Sequence, residues 1–232
     1  MVSAKRIALF SGLALQFFLL VLPWRIRRRC LEIAFGFEID PSAYIGRSFV
    51  SVRSCVMKPQ SRIGNFNFIR NLDRLELAED AGIGTFNTIT GYPGTGKGSF
   101  EHLCDRKCEL MLHPMSGITS RHFIDCTAGV TVGVRSTIAG IRSTILTHSI
   151  DVYRNRQDAK SVRIGNGCFI GTNTIILAGV EIPENCVIGG GSVVNKSLAN
   201  CGAVYAGNPV EMKRSLDVAG TQYFHRARGN VS

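Results

Sequence analysis

Between Ile164 and Val194 an aliphatic residue returns at every sixth position: Ile164, Ile170, Ile176, Ile182, Ile188 and Val194. Four places after each of the first five stands a small or modest side chain: Cys168, Thr174, Val180, Cys186 and Ser192. An amphipathic helix requires spacings of three and four, which this ladder lacks. Six is a multiple of the strand period of two. Short strands joined at corners therefore return each aliphatic to the same inner side. Gly, Asn and Pro fill the intervening positions and suit corners that need tight or left-handed backbone. A chain with this period is expected to be an all-β solenoid, each coil burying its aliphatics on the next.

The same period runs more loosely through earlier residues. Ile39 and Ile45 are in step, Ser51 breaks the count, and Ile63 with Ile69 resumes it before Leu77, Ile83 and Ile89. Ile63-Gly64-Asn65 and Ile83-Gly84-Thr85 repeat the wording of Ile164-Gly165-Asn166 and Ile170-Gly171-Thr172. One solenoid over 39–210 is therefore expected, with excursions at 91–117 and 151–161 and a polar tail over 211–232. Between the excursions the ladder returns at Ile118 and Ile124, shifts by two, and continues through Val132 and Ile138. Within the first excursion, the stretch from Gly91 to Ser99 imitates a phosphate loop. Gly98 follows Lys97 where a magnesium-binding Ser or Thr is needed, so a glycine-rich loop is the better reading. Cys104 and Cys108, with His102 and His113, lack the second Cys pair and the spacing of a zinc site, and no metal is expected.

Ahead of the solenoid, Lys5-Arg6 opens an apolar run from Ile7 to Leu22, followed by Pro23-Trp24 and then Arg25, Arg27, Arg28 and Arg29. As a helix that run would span about 24 Å, short of the roughly 30 Å hydrocarbon core. No A-x-A-like cleavage site follows it. It is either a helix docked on one end of the solenoid or a monotopic or re-entrant anchor. The Trp-Arg flank favours the anchor, with Trp24 at headgroup level and the arginines on anionic lipid. The net charge of +10 then finds its anionic partner at a membrane surface, through residues 7–29, and not in nucleic acid. Basic residues at both ends place the segment, 1–38, on the cytoplasmic face. The eight Cys show no paired framework, and Cys126, Cys168 and Cys186 fall where a small hydrophobe would serve, as reduced, buried thiols.

His148 stands immediately before the second excursion, where function in a solenoid concentrates. Imidazole titrates near neutrality and can take a proton from a hydroxyl. A lone His in a strand can equally be a polar surface group. The run Thr147-His148-Ser149-Ile150-Asp151, the ladder Ile164 to Thr172, Ile188 to Lys196 and Ala206-Gly207-Asn208-Pro209 resemble the hexapeptide-repeat acetyltransferases. The nearest branch contains the maltose, galactoside and capsular-polysaccharide O-acetyltransferases. That resemblance covers about the last hundred residues in detail. It implies a left-handed parallel β-helix, a homotrimer with sites between subunits, and acetyl-CoA as co-substrate. It also implies that His148 is the general base and that the Thr172 backbone N–H faces the developing oxyanion. Gly190 matches a position on the pantetheine arm, and Asn195 and Lys196 match a Thr-Lys pair beside the cofactor. Lys196, Lys213 and Arg214 are candidates for its phosphates. Asn195 in place of Thr, and Phe169 where many relatives carry Trp, are departures. Ser120 to Asp125 is similar to a segment of polysaccharide-tailoring relatives. His122, Asp125 and Asp151 are accordingly acceptor-side candidates, with His122 or Asp125 alternatively orienting His148 or merely decorating the coil.

The expected activity is acetyl transfer to a saccharide hydroxyl, with the anchor pointing to a lipid-linked or surface-polysaccharide precursor. A soluble sugar or serine-type acetyltransferase would not need residues 7–29. A non-catalytic membrane-associated scaffold would not need His148.

Overall fold

In the computed structural model of the chain, residues 15–94 and 100–226 are described. They form a left-handed parallel β-helix whose strands stack into three walls. Register fixes what each wall buries. The first wall aligns Ile39, Met57, Leu77, Leu112, Val132, Ile164 and Ile182. The second aligns Ile45, Ile63, Ile83, Ile118, Ile138, Ile170 and Ile188, ending on Tyr205. The third aligns Val50, Ile69, Ile89, Ile124, Ile145, Ile176 and Val194. All of these are buried and form one continuous core.

The shift by two seen in the sequence has a simple cause. The stretch from Ile124 on the third wall to Val132 on the first is two residues longer than that from Ile176 to Ile182, although both end on a pair of inward residues, Val130 with Val132 and Val180 with Ile182. The repeated Ile-Gly wording also has a cause. A Cβ on Gly64 would lie 2.3 Å from the Gly84 carbonyl oxygen, and one on Gly84 would lie 2.3 Å from that of Thr119. Successive coils approach too closely there for any side chain. At the corner between the second and third walls a buried polar ladder replaces the aliphatics. Asn67 donates to Ser48 and to the Gly84 carbonyl. Asn87 donates to Asn67 and to the Thr119 carbonyl, and the His122 backbone N–H donates to Asn87.

Two expected boundaries move. Glu109–Leu112 and Gly117–Ile118 are already strands of the first and second walls, so the first excursion closes at 108 instead of 117. The second begins at 148 instead of 151 and is an ordered element. His148–Asp151 and Arg156–Ala159 pair antiparallel as a hairpin. Both excursions leave the solenoid at the corner between the third and first walls, with two coils, and so one uninterrupted corner of that kind, between them. Phe100 and Leu103 of the first pack on Ala128 at that corner and on Ala159 of the hairpin.

At the N-terminal end, residues 15–19 are helical and helix α1 spans Trp24–Phe35. Gly36, in the left-handed region, ends α1, its N–H reaching the Glu32 carbonyl. These segments close the first coil, which would otherwise expose unpaired strand groups. The Gln16 amide donates to the Val50 carbonyl and accepts from the Val50 N–H, as a further strand would. The Arg27 guanidinium is buried and donates to the carbonyls of Ile45 and Gly46. Trp24 packs edge-on against Tyr44. Trp24 and Arg27, expected at a lipid surface, are thus engaged by the solenoid end. No helix among the described residues is long and apolar enough to cross a membrane. Phe17, Phe18, Val21, Ile26 and Ile33 remain exposed, beside Arg25 and Arg29. Ile7 to Ala14 of the anchor, the phosphate-loop imitation over 95–99 and Arg228 of the tail lie outside the described residues.

Candidate active site

The corner between the third and first walls carries one polar cluster centred on Asp125. This carboxylate is 3% exposed and lies 2.8 Å from Nδ1 of His148. Its Oδ1 accepts from the Thr127 hydroxyl at 2.6 Å and from the Thr127 N–H. Its Oδ2 accepts from the N–H groups of Thr147 and His148 and faces the Thr147 hydroxyl at 2.8 Å. Burial alone would raise the Asp125 carboxyl. The bonds from Thr127, His148 and Thr147 outweigh it and hold the group below the usual carboxylate range. An ionised carboxylate accepts only, so in the neutral imidazole Nδ1 of His148 carries the proton and Nε2 the lone pair. Nε2 has no partner among the described residues, and the side chain is 45% exposed.

That ring borders a cavity of about 250 Å³. Thr90, Thr127 and Asp125 form its floor on the coils, Tyr92 and Phe100 come from the first excursion, and Gln157 from the hairpin. Pairing sets the hairpin's faces. His148 stands opposite Ala159 and Ile150 opposite Gln157, so these four share one face. Asp151 belongs to the other face. Its Oδ1 caps the hairpin turn through the N–H groups of Tyr153 and Arg154, and its Oδ2 pairs with Arg154 at 3.7 Å. The structure therefore does not bring Asp151 to the cavity.

Nor does it bring His122 there. His122 is buried as a rung of the polar ladder. Its Nδ1 accepts from the Ser143 N–H, and Nε2 meets the Thr119 hydroxyl at 2.9 Å. Burial pushes its pKa down to about 4, against weaker opposition from backbone bonds. The folded chain thus binds this proton only near pH 4, while the unfolded chain binds it near the ordinary value of about 6.5. Stability is full above pH 6.5 and falls as pH drops towards 4, by about 3 kcal/mol in total. Urea midpoints measured from pH 7.5 to 4 should show that slope, and His122→Asn should flatten it. An equal slope in both proteins would place the titration elsewhere.

The remaining candidates lie apart from His148. Thr172 and Gly190 stack at the corner between the second and third walls, where a Cβ on Gly190 would meet the Thr172 carbonyl oxygen at 3.1 Å. The Thr172 hydroxyl bonds the Ile141 carbonyl at 2.8 Å. Asn195 and Lys196 are exposed just beyond the last strand of the third wall. Lys213 and Arg214 lie on the exposed strand Glu211–Ser215, which edges the second wall, and Lys213 pairs with Glu211 at 3.1 Å. Within one chain, then, the dyad sits at one corner of the prism and Thr172 at another. Thr127, Tyr92 and Gln157 were not site candidates in the sequence, and Thr147 stood there only as the first residue of the run around His148. The one available signal was a position one coil from His148, and variable coil length hid it.

The thiols divide by place. Cys55, Cys108, Cys126, Cys168 and Cys186 are buried, and burial pushes Cys168 up to about 12 and Cys108 to about 11. Cys126, Cys168 and Cys186 lie buried as expected, while Cys104 and Cys201 are exposed. No group of three or more His, Cys, Asp or Glu that could hold a metal ion occurs among the described residues.

Residues 161–196 match the family described as bacterial transferase hexapeptide (six repeats). The chain is 37% identical over 83 residues to the Bacillus subtilis (strain 168) protein YvoF, an acetyltransferase by name. That match covers 36% of this chain and 46% of YvoF, so the chain spans less than half the length of this curated relative. Among solved structures it is similar to the polysialic acid O-acetyltransferase OatWY, with a TM-score of 0.56 at 20% identity, covering 77% of this chain and 84% of that one. A mutant of AntD, an N-acyltransferase from Bacillus cereus solved with dTDP-4-amino-4,6-dideoxyglucose and coenzyme A, gives a TM-score of 0.51 at 16% identity. It covers 82% of this chain and 89% of the other. The chain thus carries the bacterial transferase hexapeptide repeat over residues 161–196, within a β-helix whose fold it shares with OatWY and AntD.

Proposed function

We propose that the protein transfers an acetyl group from acetyl-CoA to a hydroxyl of a saccharide. The observation that carries this reading is the His148 ring, bonded through Nδ1 to a buried carboxylate with Nε2 open to a cavity. Asp125 holds the tautomer and balances the positive charge that forms on the ring. Nε2 takes the proton of the acceptor hydroxyl as its oxygen attacks the thioester carbonyl, and returns it to the departing thiolate. Acetyl-CoA, when bound, supplies the activated acyl group. The backbone N–H of Thr172 is the proposed donor to the oxyanion. Gly190 offers an uncluttered backbone for the pantetheine arm, and Asn195, Lys196, Lys213 and Arg214 are exposed as phosphate contacts require.

Because the dyad and Thr172 occupy different corners, one chain alone does not complete this site. A homotrimer in which one subunit's Thr172 corner faces its neighbour's dyad would, and we infer that assembly. The names of YvoF, OatWY and AntD support acyl transfer, and those of the latter two support a sugar acceptor. We place the acceptor nearest the capsular-polysaccharide branch, as a lipid-linked precursor at the cytoplasmic membrane face. The exposed Phe17, Phe18, Val21 and Ile26, beside Arg25 and Arg29, support contact with anionic lipid.

The test is incubation of purified protein with radiolabelled acetyl-CoA and membrane-derived lipid-linked glycans. Alkali-labile label on the glycan is expected. Label moving only to water-soluble mono- or disaccharides would overturn the lipid-linked acceptor. No transfer to any glycan would overturn the activity.

A further inference from the structure

Tyr92 is the first large side chain after the third-wall strand Thr88–Thr90 and opens the first excursion. The Arg106 guanidinium donates to the carbonyls of Tyr92 and Thr127, tying the excursion to the coil that carries Asp125. The same guanidinium lies 4.7 Å from the centre of the Phe100 ring. Phe100 is buried, and its ring centre is 5.6 Å from that of Tyr92. Tyr92 itself remains 50% exposed at the rim of the cavity that His148 borders. An aromatic ring is thus held from behind and presented beside the proposed base. Across from it stands the hairpin face bearing His148, Ile150 and Gln157.

These features define what would fit. The cavity, at about 250 Å³, is slightly smaller than the roughly 300 Å³ at which drug-sized pockets begin, so it suits one small ring. One boundary is an aromatic face. The others carry a primary amide, the Thr90 and Thr127 hydroxyls and an imidazole. A pyranose has that polarity pattern: C–H groups gathered on one side and hydroxyls around the rim. Its apolar side covers aromatic surface, and its hydroxyls meet fixed donors and acceptors.

We propose that Tyr92, backed by Phe100, is the stacking platform for the acceptor's sugar ring, with Gln157 bonding a rim hydroxyl and so selecting which hydroxyl reaches His148. This deepens the acyl-transfer reading and rests on it for the ring's purpose, but the binding can be measured without catalysis. The probes are methyl glycosides of glucose, galactose and N-acetylglucosamine, with the open-chain polyol mannitol as control, observed by saturation-transfer NMR on the full chain. At least one glycoside should bind wild type, and mannitol should not. Tyr92→Ala should weaken that glycoside about tenfold, the upper range for a lost aromatic contact, while Tyr92→Phe should stay within about twofold. Because Arg106 grips the Tyr92 carbonyl and not its ring, the alanine variant should keep its fold, checked by an unchanged melting temperature. Gln157→Ala gives a second reading, with weakening expected for the same glycoside. Unchanged affinity in both alanine variants, mannitol binding as well as the glycosides, or no glycoside binding would each overturn the platform. Glycoside binding without label transfer from acetyl-CoA would leave the platform standing and sink the catalytic reading instead.

Discussion

His148→Ala should reduce acetyl transfer by roughly a hundredfold or more, the usual order for removal of a general base. The KM for acetyl-CoA should change little, because the ring meets the thioester only through the proton it moves. Asp125→Asn is the more informative companion. Asn is close in shape to Asp but carries an NH2 that can donate to Nδ1, which would leave the proton on Nε2 and remove the base. Activity should fall by a similar order while the melting temperature moves modestly, since Thr127 and Thr147 keep part of their bonding. Steady-state rates of both variants against wild type, at fixed acceptor, decide the matter. Full transferase activity in His148→Ala would end the general-base assignment.

The second large effect belongs to the core. Ile138 is fully buried and sits in register between Ile118 and Ile170. Ile138→Ala should cost about 2–5 kcal/mol, combining lost transfer energy with a cavity that flanking coils cannot close. Ile138→Val should cost about 0.5–1.5 kcal/mol. The measurement is the urea midpoint at constant protein concentration, because assembly would add a concentration-dependent contribution. A loss below about 1 kcal/mol for alanine would show that the column is not close-packed at that coil.

The last coils were plain in the sequence because their period is uniform and their corners take Gly or Asn. Gly167, Asn173, Asn185 and Gly191 all have positive φ there. The earlier coils use the same left-handed corners but fill them with Phe66, Phe86, Met115, Arg121 and Arg135. Those residues give no turn signal, and each accepts roughly 1–2 kcal/mol of backbone strain that coil stacking offsets. Longer corners between the third and first walls shifted the count, and a corner one residue shorter between Ile45 and Val50 is why Ser51 read as a break although Val50 is the residue that faces inward. His148 was legible through its surroundings. Its partner was only one candidate of several, since Asp125 lies 23 residues earlier and coil length varies. His122, three residues before Asp125, proved to continue a ladder of asparagines. Nothing in its spacing distinguished a rung from a reacting group.

The way Gln16 and Arg27 seal the first coil limits how this end of the molecule can meet a bilayer. Drawing either side chain into lipid would bare main-chain groups of Val50, Ile45 and Gly46, which hydrocarbon cannot satisfy. Any adhesion must therefore use the outward residues alone while the inward ones stay fastened, a shallow graft on the headgroups with the prism left intact.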